Sequence, residues 1–175
     1  MKKLDYDGSK LCTYQAEIFS QSLTLSCSSL VFLRRFFNSH FARKLDDCEQ
    51  YQLSYEAEDC FASILEQFGE TEYGKKKLPE NILYWLGYIT RYFCYTRECS
   101  SKLLYKSIPL RFFTDNYEVY HTQNEEWVIA RVLENTGKTE DDFDQDKRFK
   151  AILRKIWIPK LEAIDEEYKK LQNSQ

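Results

Sequence analysis

Residues 79–97, PENILYWLGYITRYFCYTR, predict a helix with apolar or aromatic side chains on every side. At about 100° per residue, one face of this helix carries four tyrosines: Tyr84, Tyr88, Tyr92 and Tyr95. A helix that is hydrophobic all round is normally buried, so we expect this one to be the central element of the fold. Gly87 indicates close packing, since a mid-helix glycine costs about 1 kcal/mol relative to alanine. The tyrosine hydroxyls and the Arg91 guanidinium need partners, because an unpaired buried polar group costs about 1–3 kcal/mol.

The composition indicates a well-packed helical protein with one sizeable core. The chain has 175 residues, of which 16% are aromatic, with only five glycines and three prolines. Its formal net charge of −3 argues against a general nucleic-acid or anionic-membrane binder. The N-terminal residues lack the apolar stretch of a secretory signal, and no run approaches the roughly 20 apolar residues of a membrane span. We therefore expect a cytoplasmic protein without a membrane partner.

The six cysteines are predicted to be reduced thiols. They occur singly within helical patterns, and a chain of this size does not need disulfides for stability. A zinc site would require close pairs such as C-x-x-C, whereas the nearest pair, Cys94 and Cys99, is five residues apart. The sequence also lacks a Gly-rich phosphate loop, an HExxH motif and a nucleophile pattern. We therefore expect no metal site and no cofactor.

The spacing of apolar residues and the capping signals predict an all-α fold, a compact multi-helix bundle around the aromatic helix. The other predicted helices of the core domain, residues 1–137, span residues 11–21, 30–45, 54–69, 102–107 and 122–135. The predicted N-caps are Ser54, Ser100 and Thr122, the last as part of a capping box, and the predicted helix stops are Gly69 and Gly137.

Residues 138–175 are predicted to form an appendage to this core domain. Residues 138–146 are acidic and lack apolar periodicity except at Phe143, which indicates a linker or lead-in. Beyond them, apolar residues keep a three- or four-residue spacing across Pro159, which predicts a C-terminal amphipathic helix kinked at that proline. The apolar face of this helix includes Ile156, Trp157, Leu161 and Ile164.

Two arginines and a histidine are candidates for a binding surface. Arg34 falls by helical phase on the apolar side of the helix 30–45 with Leu30, and Arg91 lies beside the tyrosine face, so each must reach solvent or find a carboxylate. Either such an arginine is held internally by an acid, tyrosine hydroxyls and backbone carbonyls, or Arg and Tyr side chains line a pocket or docking surface. His121 precedes a predicted helix N-terminus, a position that suits anion binding, although a lone histidine there is more often a structural hydrogen-bonder.

Arg35 and His40 form an R-x4-H pattern. This pattern resembles the catalytic motif of the HEPN ribonucleases, which are small all-α proteins common in bacterial toxin loci. Positions five apart on a regular helix diverge by about 140°, so the pair would need a distorted turn or a dimer to reach one phosphate. In the structural alternative, Arg35 lies in solvent while His40 packs beside Phe36 and Leu33.

A wider resemblance is carried by four segments: FLRRFFNS at 32–39, LYWLGYITRYFCYT at 83–96, SSKLLYK at 100–106 and YHT at 120–122. Together they resemble a group of small helical proteins encoded in bacterial toxin–antitoxin-type loci, some beside proteins with ADP-ribosyltransferase-like domains. The resemblance spans residues 30–135 and does not extend to the tail after Gly137. The matching positions are Arg34, Arg35, Tyr84, Trp85, Gly87, Tyr88, Arg91, Tyr92, Tyr95, Tyr105 and His121. The resemblance implies an antitoxin or accessory role in which the chain binds a partner protein.

The sequence thus predicts a non-enzymatic, antitoxin-like protein of a toxin–antitoxin or phage-defence locus that covers the active site of a cognate protein. The covering surface is either the apolar face of the C-terminal helix or an Arg- and Tyr-rich surface. The predicted members of the second surface are Arg34, Arg91, Tyr88, Tyr92, Tyr95 and His121. Two alternatives stay open, a ribonuclease that uses Arg35 and His40 and a homodimer formed through the tail. Nucleic acid is not an expected partner in the leading interpretation.

Overall fold

The computed structural model describes residues 2–47 and 56–144. Within these ranges the backbone forms nine α-helices and no strand, which confirms the predicted all-α fold. The helices are α1 (Tyr6–Gln21), α2 (Ser29–Phe37), α3 (His40–Asp46), α4 (Ala57–Phe68), α5 (Glu80–Thr96), α6 (Ser101–Ser107), α7 (Arg111–Thr114), α8 (Tyr117–Tyr120) and α9 (Glu125–Thr136). The predicted features that lie outside the described residues are the Ser54 cap, the Pro159 kink and the C-terminal site residues Ile156, Trp157, Leu161 and Ile164.

Helix α5 is the predicted aromatic helix, and its second half is enclosed on all sides. Every side chain from Ile89 to Thr96 is buried. In the first half, Tyr84 is 41% exposed, and Trp85 and Tyr88 are only partly buried. The prediction that this helix has no solvent-facing side is therefore right for residues 89–96 and wrong for the first turns of α5.

Gly87 brings the backbones of α1 and α5 into contact. A Cβ atom built at Gly87 would lie 2.7 Å from both the Ala16 Cα and the Gln15 carbonyl oxygen. The Gln15 amide nitrogen donates across this contact to the Gly87 carbonyl oxygen and to the Thr90 hydroxyl, each at 3.0 Å. The close packing predicted from the mid-helix glycine is therefore present, and it places α1 directly against the central helix.

Gly87→Ala is expected to destabilise the fold even though alanine is the better helix former. The intrinsic preference for alanine is worth about 1 kcal/mol, whereas overpacking of a filled contact costs about 1–3 kcal/mol. The added methyl group would meet backbone atoms, which cannot rotate away, so α1 and α5 would have to move apart. Urea denaturation should give a lower free energy of unfolding than for the wild type. Glu66→Ala, on the exposed side of α4, controls for helix propensity, and a Gly87→Ala variant more stable than wild type would contradict the expectation.

The predicted helix over residues 30–45 is two helices, because side chains at the junction bind the backbone. The Asn38 amide nitrogen donates to the Arg34 carbonyl oxygen at 2.8 Å, and the Ser39 hydroxyl donates to the Phe36 carbonyl oxygen at 2.7 Å. The same Ser39 oxygen accepts a hydrogen bond from the Ala42 amide at 3.0 Å and so caps α3. Asn and Ser side chains that compete in this way for backbone groups interrupt helices. The prediction of a single helix here is wrong.

At the other helix ends, three of the predicted capping residues are confirmed and one is wrong. Ser100 caps α6 as predicted, and Gly69 and Gly137 end α4 and α9 with φ of 73° and 63°. The predicted Thr122 cap of α9 is wrong. Asn124 takes that place by accepting from the Trp127 amide at 2.8 Å, whereas the Thr122 hydroxyl donates to the Val119 carbonyl oxygen at 2.9 Å.

The core of the compact unit, Met1–Phe143, is built mainly from aromatic rings. Phe19 of α1 is fully buried, and three phenylalanine rings of α2 meet its ring edge to face: Phe32, Phe36 and Phe37. Beside the C-terminal half of α5, Phe143 is fully buried, and its ring centroid lies 4.8 Å from that of Phe93. The acidic segment after Gly137 therefore contributes a core residue to this unit.

Candidate functional site

The tyrosine face of α5 divides into a satisfied half and an open half. In the satisfied half, the Tyr92 hydroxyl donates to Glu126 Oε1 at 2.7 Å, and the Tyr95 hydroxyl donates to Asp5 Oδ1 at 2.6 Å. Both rings are buried. Burial raises the pKa of both tyrosines, and the acceptor carboxylates act in the same direction. Two of the predicted site residues thus have internal acidic partners in this arrangement.

The Tyr92 partner Glu126 gives the fold a dependence on pH. The Arg97 guanidinium, at 2.7 Å from Glu126 Oε2, holds the pKa of Glu126 below its ordinary value, and the hydrogen bond from Tyr92 adds to this effect. A carboxyl group whose pKa is lower in the folded state stabilises the fold above its unfolded pKa of about 4.3. That contribution is lost as the pH falls through the folded pKa.

Glu126→Gln is therefore expected to lower the melting temperature at pH 7 and to have a much smaller effect at about pH 3, where the wild type has lost the same contribution. Thermal unfolding of both proteins across this range measures the difference. Glu66→Gln controls for the removal of one negative charge from an exposed position. An effect of Glu126→Gln that stays the same at both pH values would contradict the assignment.

The open half of the face borders a cleft of about 680 Å³, which we term the aromatic cleft. Its walls are aromatic: Tyr84, Trp85, Tyr88, Tyr117 and His121. Its remaining lining residues are polar: Ser20, Glu80 and Asn81. The structure thus brings two predicted site residues, Tyr88 and His121, into one site.

Helical spacing places most of these side chains. Glu80, Tyr84 and Tyr88 follow one another at intervals of four on α5, so they lie on one face. Tyr117 and His121 are also four apart, and their rings stack with centroids 4.5 Å apart and planes at 14°. Glu80 and Tyr117 were not predicted to be site residues, although Glu80 lies four residues before Tyr84 and Tyr117 four residues before His121.

Hydrogen bonds fix the far wall of the aromatic cleft. The Asn81 amide nitrogen donates to the Tyr117 hydroxyl at 3.1 Å, and the Trp85 ring meets the Tyr117 ring edge to face at 5.5 Å. His121 Nδ1 lies 2.7 Å from the Tyr117 carbonyl oxygen. Because a carbonyl oxygen only accepts, Nδ1 is the donor in this contact, and in the matching tautomer Nε2 can accept a hydrogen bond. Nε2 makes no hydrogen bond to any of the described residues.

The described lining residues of the aromatic cleft carry a negative charge and no positive charge. Among the described residues that line it, none is lysine or arginine, and Glu80 is the only carboxylate. Burial raises the pKa of Tyr88, and the nearby Glu125 carboxylate acts in the same direction, so the Tyr88 hydroxyl stays neutral at physiological pH. The cleft therefore presents neutral aromatic rings, hydrogen-bond acceptors and one negative charge.

Arg91 lies within the core and not in the aromatic cleft. Its side chain is 1% exposed, and each of its nitrogens has a partner: Nε donates to Gln15 Oε1 at 2.8 Å, Nη1 to Asp46 Oδ1 at 2.8 Å and Nη2 to Ser101 Oγ at 2.9 Å. Of the two interpretations of this residue, the arrangement matches an arginine held internally by one acid. Its other acceptors are an amide and a serine hydroxyl where tyrosine hydroxyls and backbone carbonyls were expected.

Arg34 is exposed, and its predicted position on the apolar side of the helix is wrong. Leu30, expected beside it in the core, is itself 60% exposed, because α2 buries the opposite face. Arg34 lines a second groove of about 610 Å³ with Lys106 and Arg111, and the described residues that line this groove include no carboxylate. The predicted site residues that the structure describes are thus divided among the core, the aromatic cleft and this basic groove.

The R-x4-H pair spans the junction between α2 and α3. Arg35 Nη1 donates to the Gly69 carbonyl oxygen at 2.6 Å and Nη2 donates to the Phe68 carbonyl oxygen at 3.3 Å, so the guanidinium closes the C-terminal end of α4. His40 is exposed at the first position of α3. In the structural alternative, the packing of His40 is therefore wrong, whereas Arg35 is partly exposed while it makes these hydrogen bonds.

Comparison with known proteins gives no match to a family model, to a curated protein or to a solved structure. Within residues 2–47 and 56–144, no helix is both long enough and apolar enough to cross a membrane. The same part of the chain contains no group of His, Cys, Asp and Glu side chains that could hold a metal ion. The chemistry of the aromatic cleft therefore has to be inferred from its own residues.

Proposed function

We propose that this protein is a non-enzymatic binding protein that docks a partner protein in its aromatic cleft. We further propose that it serves as an antitoxin-like component of a toxin–antitoxin or phage-defence locus and neutralises or regulates that partner by covering it. The observation that carries the binding proposal is the open aromatic cleft itself. The antitoxin assignment rests on the sequence resemblance of residues 30–135.

The residues of the aromatic cleft have the composition of an interface anchor. Tyrosine and tryptophan are enriched at protein interfaces and dominate hot spots, where they fill well-packed and desolvated pockets. Here Tyr84 is 41% exposed, and Trp85 and Tyr88 are partly exposed beside it on one helix. A covering mechanism needs only such a surface and no catalytic residue.

Contacts within the protein also order the wall of the cleft in the absence of a partner. Tyr117 is fixed by the Asn81 hydrogen bond, by the stack on His121 and by the edge of Trp85. Because ordering side chains on association costs about 0.5–1.5 kcal/mol for each rotamer-rich group, preformed walls leave more of the contact energy for binding. This supports docking on the existing surface without rearrangement of α5.

The test is co-expression with the protein encoded beside this one, followed by gel filtration and calorimetry. We expect a stable complex, and we expect Tyr84→Ala to weaken it by about 30-fold, the effect of losing about 2 kcal/mol at a hot spot. Tyr6→Ala is the matched control, since Tyr6 is also an exposed tyrosine but does not line the cleft. Absence of a complex at micromolar concentrations would contradict the proposal.

The ribonuclease alternative has its own test and needs no partner. If Arg35 and His40 act on RNA, His40→Ala must abolish cleavage of an RNA substrate by the purified protein. The use of two Arg35 nitrogens in closing α4 supports a structural role for that residue. Cleavage that depends on His40 would replace the binding proposal with an enzymatic one.

A further inference from the structure

We infer that the aromatic cleft receives an arginine side chain of the partner. This inference rests on the proposed function and specifies which chemical group enters the site. It is carried by the charge of the cleft, by the nature of its walls and by the hydrogen-bonding capacity of its polar atoms.

The charge of the aromatic cleft favours a cation. Glu80 supplies the only formal charge among the lining residues. The Ser20 hydroxyl donates to Glu80 Oε1 at 3.0 Å, and Oε2 makes no hydrogen bond to any residue of the described chain. The acidic residue Glu125 near Tyr88 adds to the negative field. An anionic group would meet a carboxylate here without any compensating lysine or arginine.

The walls favour a cation for a separate reason. The faces of tyrosine and tryptophan rings are electron-rich and attract a cation placed within about 6 Å of the ring centroid. Tyr84 and Tyr88, one turn apart on α5, and Trp85, the neighbour of Tyr84, supply such rings. One face of the Tyr117 ring is covered by His121, and the Trp85 ring packs edge to face against Tyr117 and Phe113. Among the described residues, the rings of Tyr84 and Tyr88 are therefore the main surfaces open to a cation.

The polar atoms of the cleft include several acceptors at different points of its wall, and this favours arginine over lysine. Glu80 Oε2, His121 Nε2 and the Tyr84 hydroxyl can each accept a hydrogen bond. A guanidinium has five donors in a rigid plane and can stack on a ring while it donates at its edge. An ammonium has three donors and no plane to stack, so it covers less of a ring while it donates. The cleft is much larger than one guanidinium, so the flanking backbone of the partner also has room.

The experiment uses the full chain labelled with ¹⁵N and a small probe, N-acetyl-arginine methylamide. The probe should shift the Trp85 indole resonance, identified by its loss in Trp85→Phe, with a saturable curve and a dissociation constant in the millimolar range. The Trp127 indole, which lies outside the cleft, serves as the internal reference. The neutral isostere N-acetyl-citrulline methylamide should bind at least about 10-fold more weakly, and equal binding of both probes overturns the inference. The lysine analogue should also bind more weakly, and equal binding of arginine and lysine overturns the choice of arginine.

Glu80→Gln separates a role in binding from a role in the helix. Glu80 lies in the first turn of α5, where a carboxylate also offsets the helix dipole. We expect this variant to weaken arginine binding by about 5- to 10-fold, while Glu66→Gln leaves it unchanged. A lowered melting temperature with unchanged arginine binding would show that the carboxylate serves only the helix and would overturn the inference.

The two proposals can fail independently. If the chain forms a complex with its neighbour that depends on Tyr84, yet the arginine probe does not move the Trp85 resonance, the inference is wrong and the proposed function stands. If the arginine probe binds but no complex forms, the cleft is a cation site and the proposed partner is wrong.

Discussion

Asp46→Ala is expected to lower the free energy of unfolding by about 3–5 kcal/mol, among the largest effects of any single substitution in the described chain. Asp46 Oδ1 lies 2.8 Å from Arg91 Nη1 and accepts the Ser101 hydroxyl at 2.6 Å, while Oδ2 accepts the Ser101 amide at 2.9 Å. Its removal takes away the acid that pairs with Arg91 among the described residues, and a buried charge that loses its counter-ion is strongly destabilising. Chemical denaturation measures the loss.

Two further variants show whether the cost comes from the unpaired charge. Replacement of both partners, Asp46→Leu with Arg91→Met, should recover much of the loss, because apolar residues of similar size often substitute for a buried ion pair at little cost. Glu134→Ala breaks the exposed pair that Glu134 forms with Arg131 at 2.6 Å and should cost only about 0.2–1 kcal/mol. A double variant as unstable as Asp46→Ala alone would contradict this explanation.

Phe19→Ala is expected to have a comparable effect, about 3–5 kcal/mol, for an entirely apolar reason. The ring centroid of Phe19 lies 5.7, 4.8 and 5.9 Å from those of Phe32, Phe36 and Phe37. Truncation to a methyl group leaves a cavity between α1 and α2 and removes all three edge-to-face contacts at once. The measurement is again the free energy of unfolding in urea.

Matched substitutions separate cavity formation from the loss of an aromatic ring. Phe19→Leu keeps most of the volume and should cost about 1.5 kcal/mol or less. Phe68→Ala removes the same side chain from the end of α4, where it is 36% exposed, and should have a much smaller effect. If Phe19→Ala and Phe68→Ala cost the same, the Phe19 cluster is not the centre of the core.

The sequence predicted the helical architecture because helix formation depends on local spacing. The period of the apolar residues and the caps at Ser100, Gly69 and Gly137 were sufficient for that purpose. The errors occurred where side chains compete for the same backbone groups. Ser39 and Asn38 interrupt a helix whose apolar period continues across them, and Asn124 caps α9 although Thr122 fits the capping pattern equally well.

The candidate site was predictable only in part. Tyr88 and His121 were named singly, but they are 33 positions apart, and no local pattern states that α8 lies against the first turns of α5. Arg91 could be expected to need an acid, yet which acid it finds depends on the packing of α3 and α6 against α5. The predicted phase of Arg34 assumed one continuous helix over residues 30–45, whereas α2 has nine residues. Tertiary packing decides which face of so short a helix is buried.

The contact at Gly87 has a consequence for recognising relatives of this chain. Since the two helix backbones touch there, positions 16 and 87 are restricted jointly, and an increase in size at one cannot be absorbed by the other, which already lacks any side chain beyond a methyl group. The tyrosines of α5 are restricted in a different way, since the hydroxyl groups of Tyr92 and Tyr95 each donate to a carboxylate. A pair of very small residues 71 positions apart is therefore a marker of this fold that the aromatic pattern of α5 does not contain.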